Sequence, residues 1–460
     1  MRFKKTKVGS IPSDWSVEII DHLKSADRHA ISMGPFGSKL KKSSFVNHGI
    51  PIIRGNNLRP FKFWDNDFVF VTEEKAITLK SSWVKSGDIV ITHRGTLGQV
   101  GFIPKKTKFP VYIVSQSGMK LTCDSNKIDN KFLYYYLNSP LGQYFLLMNK
   151  SQVGVPAIAR ASTSLKKVPV PIPPLNEQKQ ISWILTNIDR KIEINSNINQ
   201  NLEAMAQAIF KHWFVDFEFP DENGNPYKSS GGEMVESELG MIPKGWKVGH
   251  FSNFIEDIIG GDWGKPNQQG NYIRRVNILR GADILEIKKG NMGSLPVRYI
   301  LEKNYKKKEL KPGNLVIEIS GGSPTQSTGR ITYVSNEILR KFSFGLVCTN
   351  FCRAITLRDP NYMEYFYLYW KTLYDQGVFF LYENGTTGIK NLDIRTLINS
   401  YKTLIPLDNI IFDFRIIAQC LFRKIQVNGE ENMKLAKIRD TLLPKLMSGE
   451  IRVPMEQKVR

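Results

Sequence analysis

Catalysis would require a metal site, an activated nucleophile or a phosphate-cradling loop, and the residues for each occur only in fragments. Asp283-Ile284-Leu285-Glu286-Ile287-Lys288 has the acidic-x-Lys spacing that can hold Mg²⁺ beside an attacking water. The same spacing recurs at Glu177-x-Lys179, Glu309-x-Lys311 and Glu456-x-Lys458, so it carries little information in a chain this rich in Glu and Lys. Among the six histidines His93 is the best placed, yet none has metal-ligand spacing or a nucleophile partner. Cys123, Cys348, Cys352 and Cys420 form no paired CxxC motifs, and Cys348 and Cys352 read as small core residues. The GxxxxGK[ST] loop of a nucleotide-driven motor does not occur. Asn225-Pro226-Tyr227 lacks the second proline of the motif that holds a flipped adenine and reads as a turn. No catalytic, cofactor or metal site is expected on this chain.

Binding chemistry is better supplied. Lys and Arg number 64 against 43 Asp and Glu, for a net charge of +21, which implies a polyanionic partner. Clusters such as Lys39 to Lys42 and Lys306 to Lys308 occur in both halves, as suits a surface that follows a phosphate backbone. Reading base edges takes Arg for guanine, Asn or Gln for adenine, and hydroxyl or apolar groups elsewhere, carried on loops that can enter a groove. In the first half those candidates are Lys39, Arg54, Asn56, Asn57, Arg94, Thr96 and Gln116. In the second they are Arg274, Arg275, Asn277, Ser323, Thr325, Gln326, Arg330 and Lys390. The aromatic runs Phe132 to Leu137 and Tyr362 to Tyr369 could stack on single-stranded bases, but their amphipathic pattern favours core helices.

The elements that would position these groups follow from a repeat. At 460 residues, with 41% hydrophobic and 11% aromatic composition, the chain is long enough for two or more folded domains. No stretch reaches the roughly 18 apolar residues of a membrane span, and the basic start Met1 to Lys7 leads into no apolar segment, so a cytoplasmic protein without membrane contact is expected. Ile11-Pro12-Ser13-Asp14-Trp15 returns as Ile242-Pro243-Lys244-Gly245-Trp246, 231 residues later. Gly87-Asp88-Ile89-Val90-Ile91 returns as Gly313-Asn314-Leu315-Val316-Ile317, a turn and a buried strand, each followed by a Gly/Ser/Thr-rich loop, Thr92 to Gly98 and Ser320 to Arg330.

The firmest copy lies at a constant spacing of 233. Ile172, Pro173, Asn176, Lys191, Ile192, Asn195, Asn199 and Leu202 match Ile405, Pro406, Asn409, Lys424, Ile425, Asn428, Asn432 and Leu435 without a gap. Seven-residue spacing of Ile181, Ile188, Asn195, Leu202 and Ile209, and of Phe414, Leu421, Asn428, Leu435 and Leu442, predicts two long helices paired along those positions, with Ile184, Ile192, Ile198 and Met205 filling the first seam. Asn195 and Asn428 at matching seam positions predict a single alignment, since a shifted register would bury an unpaired amide. About forty residues per helix make a rod of roughly 60 Å that could hold two domains apart. The first helix should end near Phe214, before the turn-rich Pro220 to Pro226, and the second should run into Pro444 and stop by Gly449.

The order of domain, proline-led helix, linker, domain, proline-led helix resembles the specificity subunits of type I restriction-modification systems. Pro171-Ile172-Pro173-Pro174-Leu175-Asn176-Glu177-Gln178-Lys179-Gln180-Ile181 is similar to the start of that family's first spacer helix, and Arg439-Asp440-Thr441-Leu442-Leu443-Pro444-Lys445-Leu446-Met447-Ser448-Gly449-Glu450-Ile451 to the end of its second. The copy at Ile405-Pro406-Leu407-Asp408-Asn409 departs in having Ile411 where the first has Gln178. The resemblance implies an α+β fold, with two homologous target-recognition domains (1–174 and 241–406) and two long antiparallel coiled-coil-like spacer helices (175–219 and 407–449), a linker at 220–240 and a basic tail at 450–460. It also implies double-stranded DNA read as a split asymmetric target, two methyltransferase subunits on the helices and restriction/translocase subunits beyond them, with S-adenosylmethionine, ATP and Mg²⁺ bound by those partners. A stand-alone metal-dependent nuclease and a non-specific nucleic-acid-binding protein are the alternatives.

Overall fold

The Ile-Pro-x-x-Trp motif of each half closes a β-hairpin. Phe3–Thr6 pairs with Gly9–Pro12, and Met234–Ser237 pairs with Gly240–Pro243. In each case the Trp that follows is buried, Trp15 to 1% and Trp246 to 4% exposure. The computed structural model describes residues 2–151, 154–323, 325–385 and 389–453. The chain divides into two units, Met1–Ile192 with Leu435–Arg460, and Glu193–Lys434.

Both units are mixed α+β and share one plan. In the first, a four-stranded sheet runs in the order Val100–Phe102, Ile89–Thr92, Gly118–Leu121, Ile31–Met33. In the second, the sheet Ile331–Tyr333, Leu315–Glu318, Cys352–Leu357, Ile255–Gly260 repeats that order. A second sheet in each unit holds one parallel pair, Ile50–Ile53 with Tyr112–Val114 and Tyr272–Leu279 with Leu346–Cys348. The expected buried strands Ile89–Thr92 and Leu315–Glu318 are buried at every position, as continuous apolar β-branched runs require. The aromatic runs form the core helices Asn130–Asn138 and Met363–Asp375, whose rings are largely inside. Cys348 and Cys352 lie in strands of the second unit, with burial pushing the Cys348 thiol up to about 12.

Two long helices, Leu175–Phe214 and Asp408–Ser448, follow the paired strands Pro169–Ile172 and Lys402–Ile405. The division falls inside both helices. Within the first unit, Asp189 meets Arg439 at 2.8 Å. Within the second, Asn195 donates to the Asn432 side chain at 3.0 Å, and Asn428 donates to that of Asn199 at 2.8 Å. Residue numbers rise along one helix as they fall along the other, so the pairing is antiparallel.

The heptad reading needs correction in two places. Ile198 and Met205 are 38% and 51% exposed and fill no seam. On a straight helix a strict seven-residue repeat drifts about 20° per heptad, so burial passes from Ile181 and Leu185 to Asn195 and Asn199 and then to Ala206 and Phe210. Leu202, Ile209, Leu421 and Leu442 are only partly buried, and they pack on the unit cores rather than in one continuous stripe; Ile188 and Leu435 are also half-buried. The second helix runs through Pro444 and ends at Ser448, just before Gly449. An internal proline costs about 3 kcal/mol, but Leu443, Leu446 and Met447 on either side of it are buried, each by about 1.5–3 kcal/mol.

The turn-rich stretch after the first helix is ordered. Asp221 accepts the amides of Asn223 and Asn225, and Tyr227 stacks on Phe219 with ring centroids 4.6 Å apart. The tail begins as structure rather than as free basic charge, while residues 454–460, with Glu456 and Lys458, lie outside the described residues. Arg452 forks onto Glu177 (2.6 and 2.8 Å) and Asp14 (3.0 and 2.9 Å), and Trp15 donates its indole N–H to Glu177 at 3.2 Å. Glu177 is 1% exposed, so the guanidinium supplies the hydrogen bonds and countercharge that its burial would otherwise leave unmet. Arg452→Ala should therefore destabilise the first unit by about 3 kcal/mol or more, read from urea unfolding. A loss below about 0.5 kcal/mol, the ordinary surface range, would contradict this role.

Candidate nucleic-acid interface

Parallel strands end on the same side of a sheet, so the loops that follow them are neighbours. In the first unit Ile50–Ile53 leads into Arg54-Gly55-Asn56-Asn57, and Tyr112–Val114 into Ser115-Gln116-Ser117. The Ser115 amide donates to the Ile53 carbonyl at 2.9 Å, and the His93 amide to that of Ser117 at 2.8 Å. A Cβ on Gly55 would sit 2.7 Å from the Gln99 side-chain oxygen and 3.8 Å from the Thr92 methyl, so the Arg54 turn lies beside both ends of the loop Thr92 to Gly98. A hairpin, Lys150–Ser151 with Ala157–Ile158, pins that loop through Ile158 N–H to His93 O and Gly95 N–H to Pro156 O, both at 2.9 Å.

The second unit repeats the arrangement bond for bond. Thr349 N–H donates to Leu279 O at 2.9 Å, Ile319 N–H to Phe351 O at 2.8 Å, and Leu392 N–H to Ile319 O at 2.8 Å. The loop Ser320 to Arg330 is held by the strand Lys390–Leu392, which also pairs with Glu383–Asn384. Glu383 accepts from the Thr328 hydroxyl and from Lys390, both at 2.8 Å, and also from the Thr328 amide. Burial raises its carboxyl, but these donors outweigh it and hold the group below its ordinary range.

This geometry brings Arg54, Asn56, Arg94, Thr96 and Gln116 together, all exposed, at one end of the first unit. Lys39 is exposed on the short turn Gly37–Lys39. Asn57 is different: at 0% exposure it donates to the carbonyls of Trp64 and Asn66 and accepts the Arg54 amide, so it shapes the turn and is not free to read a base.

In the second unit Thr325 and Gln326 are exposed on their loop and Ser323 is half-buried. Lys390 is tied to Glu383 and lies 4.9 Å from the Phe380 ring. Arg330 forks onto Glu318, whose side chain is 4% exposed, and so holds its own loop together. Asn277 is buried and donates to Phe344 O at 2.9 Å. Arg274 and Arg275 are exposed over Tyr305 and Phe344, at 4.0 and 4.2 Å, well before the loop end of their strand.

The counterpart of Arg54 is Arg280, which the sequence reading missed. Ile52-Ile53-Arg54-Gly55 and Ile278-Leu279-Arg280-Gly281 lie at the 226-residue spacing of the buried strands, and that Arg-Gly pair was the available signal. Arg280 and Asp283 repeat the backbone cap of Arg54 and Asn57. The Arg280 guanidinium is set by Asp283 (2.8 and 3.0 Å) and the Ser294 hydroxyl (2.9 Å). Asn350, the counterpart of Gln116, was also missed and is exposed.

Acid–base chemistry finds little here. The acidic groups of the acidic-x-Lys patterns are engaged elsewhere: Glu177 with Arg452, Glu286 with Asn291 and Lys289, and Glu309 with the Tyr305 hydroxyl. Burial pushes the His93 imidazole below its ordinary value, and its Nε2 is buried without a partner. Among the described residues no group of three or more His, Cys, Asp or Glu could hold a metal, and no helix is long and apolar enough to cross a membrane.

Comparison with known proteins agrees with this plan. Residues 36–204 match the type I restriction modification DNA specificity domain. The type I restriction enzyme MjaIX specificity subunit of Methanocaldococcus jannaschii is 28% identical, over 98% of this chain and 96% of its own. The HindI specificity subunit of Haemophilus influenzae is 26% identical over 80% and 87%. The crystal structure of a type I restriction-modification S subunit from M. genitalium has the same fold, with a TM-score of 0.52 at 16% identity over 95% of this chain and 96% of that one.

The Glu383 clamp has a pH signature. A carboxyl held below its ordinary value stabilises the loop fully above the ordinary glutamate range, and that contribution disappears as pH falls through the lowered value. Hydrogen exchange at the Thr328 amide should be slower in wild type than in Glu383→Gln at neutral pH, with the difference vanishing in acid. Equal protection at neutral pH would contradict the clamp.

Proposed function

We infer that this chain, a type I restriction-modification specificity subunit by its fold, its repeat and its full-length relatives, reads two short words of one DNA duplex, one with each unit. The observation that carries this reading is the duplicated loop cluster. Each unit offers an Arg-Gly turn and an exposed amide at the ends of a parallel strand pair, with a Gly/Ser/Thr-rich loop hydrogen-bonded beside them. Nothing forces the two clusters to carry the same side chains: Asn56 stands against Ala282, and Gln116 against Asn350. Two related readers with different side chains suit an asymmetric, split target. With a net charge of +21, phosphate contacts supply most of the affinity and the loop residues the discrimination.

Partner docking is supported by the helices. Trp183, Ile194 and Met205 are 65%, 44% and 51% exposed on the first, and the residues 233 later, Ile416, Val427 and Ile438, are 52%, 46% and 48% exposed on the second. Large apolar groups left in water at matching repeat positions fit two copies of one partner, the methyltransferase subunit, with restriction/translocase subunits joining that core. Chemistry then belongs to the partners, which bind S-adenosylmethionine, ATP and Mg²⁺, and this chain supplies the address.

Methylome sequencing of cells carrying the complete system tests the reading. Exchange of residues 1–170 for those of a relative should change one half of the methylated target and leave the other intact, while Ile194→Asp with Val427→Asp should abolish methylation of both halves without loss of folded protein. A change in both halves after the exchange, or full methylation in the double variant, would contradict it.

A further inference from the structure

An exposed aromatic side chain stands at the same place in both units. Phe36 is 56% and Trp263 37% exposed, and they lie 227 residues apart within Gly34-Pro35-Phe36-Gly37 and Gly261-Asp262-Trp263-Gly264. Both glycines of each motif are demanded by the backbone. A Cβ on Gly34 would fall 1.9 Å from the Ser115 carbonyl oxygen, and one on Gly261 2.1 Å from that of Thr349. Gly37 and Gly264 have φ of 52° and 62°, the left-handed region that suits glycine. The turn is thus pressed against the residue just before Gln116 in one unit and just before Asn350 in the other. Lys39 follows the first turn, and in the second the Arg298 guanidinium packs 4.3 Å over Trp263 with its Nε lacking a hydrogen-bond partner.

We propose that Phe36 and Trp263 are matched base contacts, each packing its ring against the base edges or an opened base step of its own half-site beside Gln116 or Asn350. The proposal rests on the DNA-reading function inferred above and goes beyond it in assigning a specificity role to residues outside the polar loops. An apolar ring near an amide and a cationic side chain complements them chemically: the polar groups read hydrogen-bond patterns, whereas the ring takes a thymine methyl or a flexible pyrimidine–purine step. Two solvated aromatic residues in separate copies, each between two backbone-required glycines, are hard to account for by packing, because neither ring is enclosed by the core.

The test is selection from a random-sequence duplex pool by the full chain co-purified with its methyltransferase partners. Phe36→Ala should lose about ten-fold discrimination at one or two adjacent base pairs of one half-site and leave the other half unchanged, and Trp263→Ala should do the reverse. Phe36→Trp and Trp263→Phe should restore most of the preference, and unchanged melting temperatures should accompany all four variants. Wild-type preference in both alanine variants would overturn the proposal, as would equal losses in both halves or failure of the aromatic replacements to rescue. Enrichment of no split target by the wild-type chain would instead overturn the reading beneath it.

Discussion

Four asparagines constrain the second unit more than any apolar contact between its helices. Asn195 pairs with Asn432 and Asn199 with Asn428, and the spare Asn199 amide protons go to the carbonyls of Ile425 and Lys289, at 3.1 Å each. Asn195, Asn199 and Asn428 are at most 5% exposed, so each hydrogen bond that a shifted register lost would leave a buried donor or acceptor unmet, at about 1–3 kcal/mol apiece. An apolar seam of the same length would tolerate slippage. The amides trade some stability for one alignment.

The pairing also explains why the repeat has kept its spacing through both helices. Asn428 stands 233 residues after Asn195, and Asn432 the same distance after Asn199, so each contact is the image of the other with the helices exchanged. The same correspondence extends outward. Phe210 and Trp213 bury in the core of the second unit where Leu443 and Leu446, their counterparts, bury in that of the first. Phe219 stacks on Trp246 at 5.3 Å where Arg452 faces Trp15 at 5.7 Å. One Trp is met by a ring and the other by an ion-paired cation, which shows how far side-chain chemistry diverges while the backbone plan holds. The loop clusters obey the same logic: hydrogen bonds of the main chain are common to both, and the side chains they present differ.

Much of this was legible in the sequence wherever a feature was periodic or duplicated. The buried strands, the core aromatic helices and both helix spans follow from apolar pattern, proline position and repeat. What escaped was local. Whether an Arg on a loop is free or forked onto a buried carboxylate depends on contacts remote in sequence, as with Arg330 and Glu318. Asn57 and Asn277 have the right chemistry for adenine but spend it on the carbonyls of their own unit. Arg280 and Asn350 carry no local signal of their own, and only their places in the repeat, matching Arg54 and Gln116, mark them. Ile198 and Met205 keep step with a seven-residue repeat but not with the buried face of a helix that turns every 3.6 residues.

The most direct test of the asparagine register is disulfide trapping in the full chain, with Cys420 replaced by serine because it is exposed. Asn199→Cys with Asn428→Cys should cross-link on mild oxidation, and Asn195→Cys with Asn428→Cys, one helical turn out of step, should not, with peptide mass analysis as the readout. Equal or preferential cross-linking of the 195 and 428 pair would mean that the helices do not keep the single alignment on which this account depends.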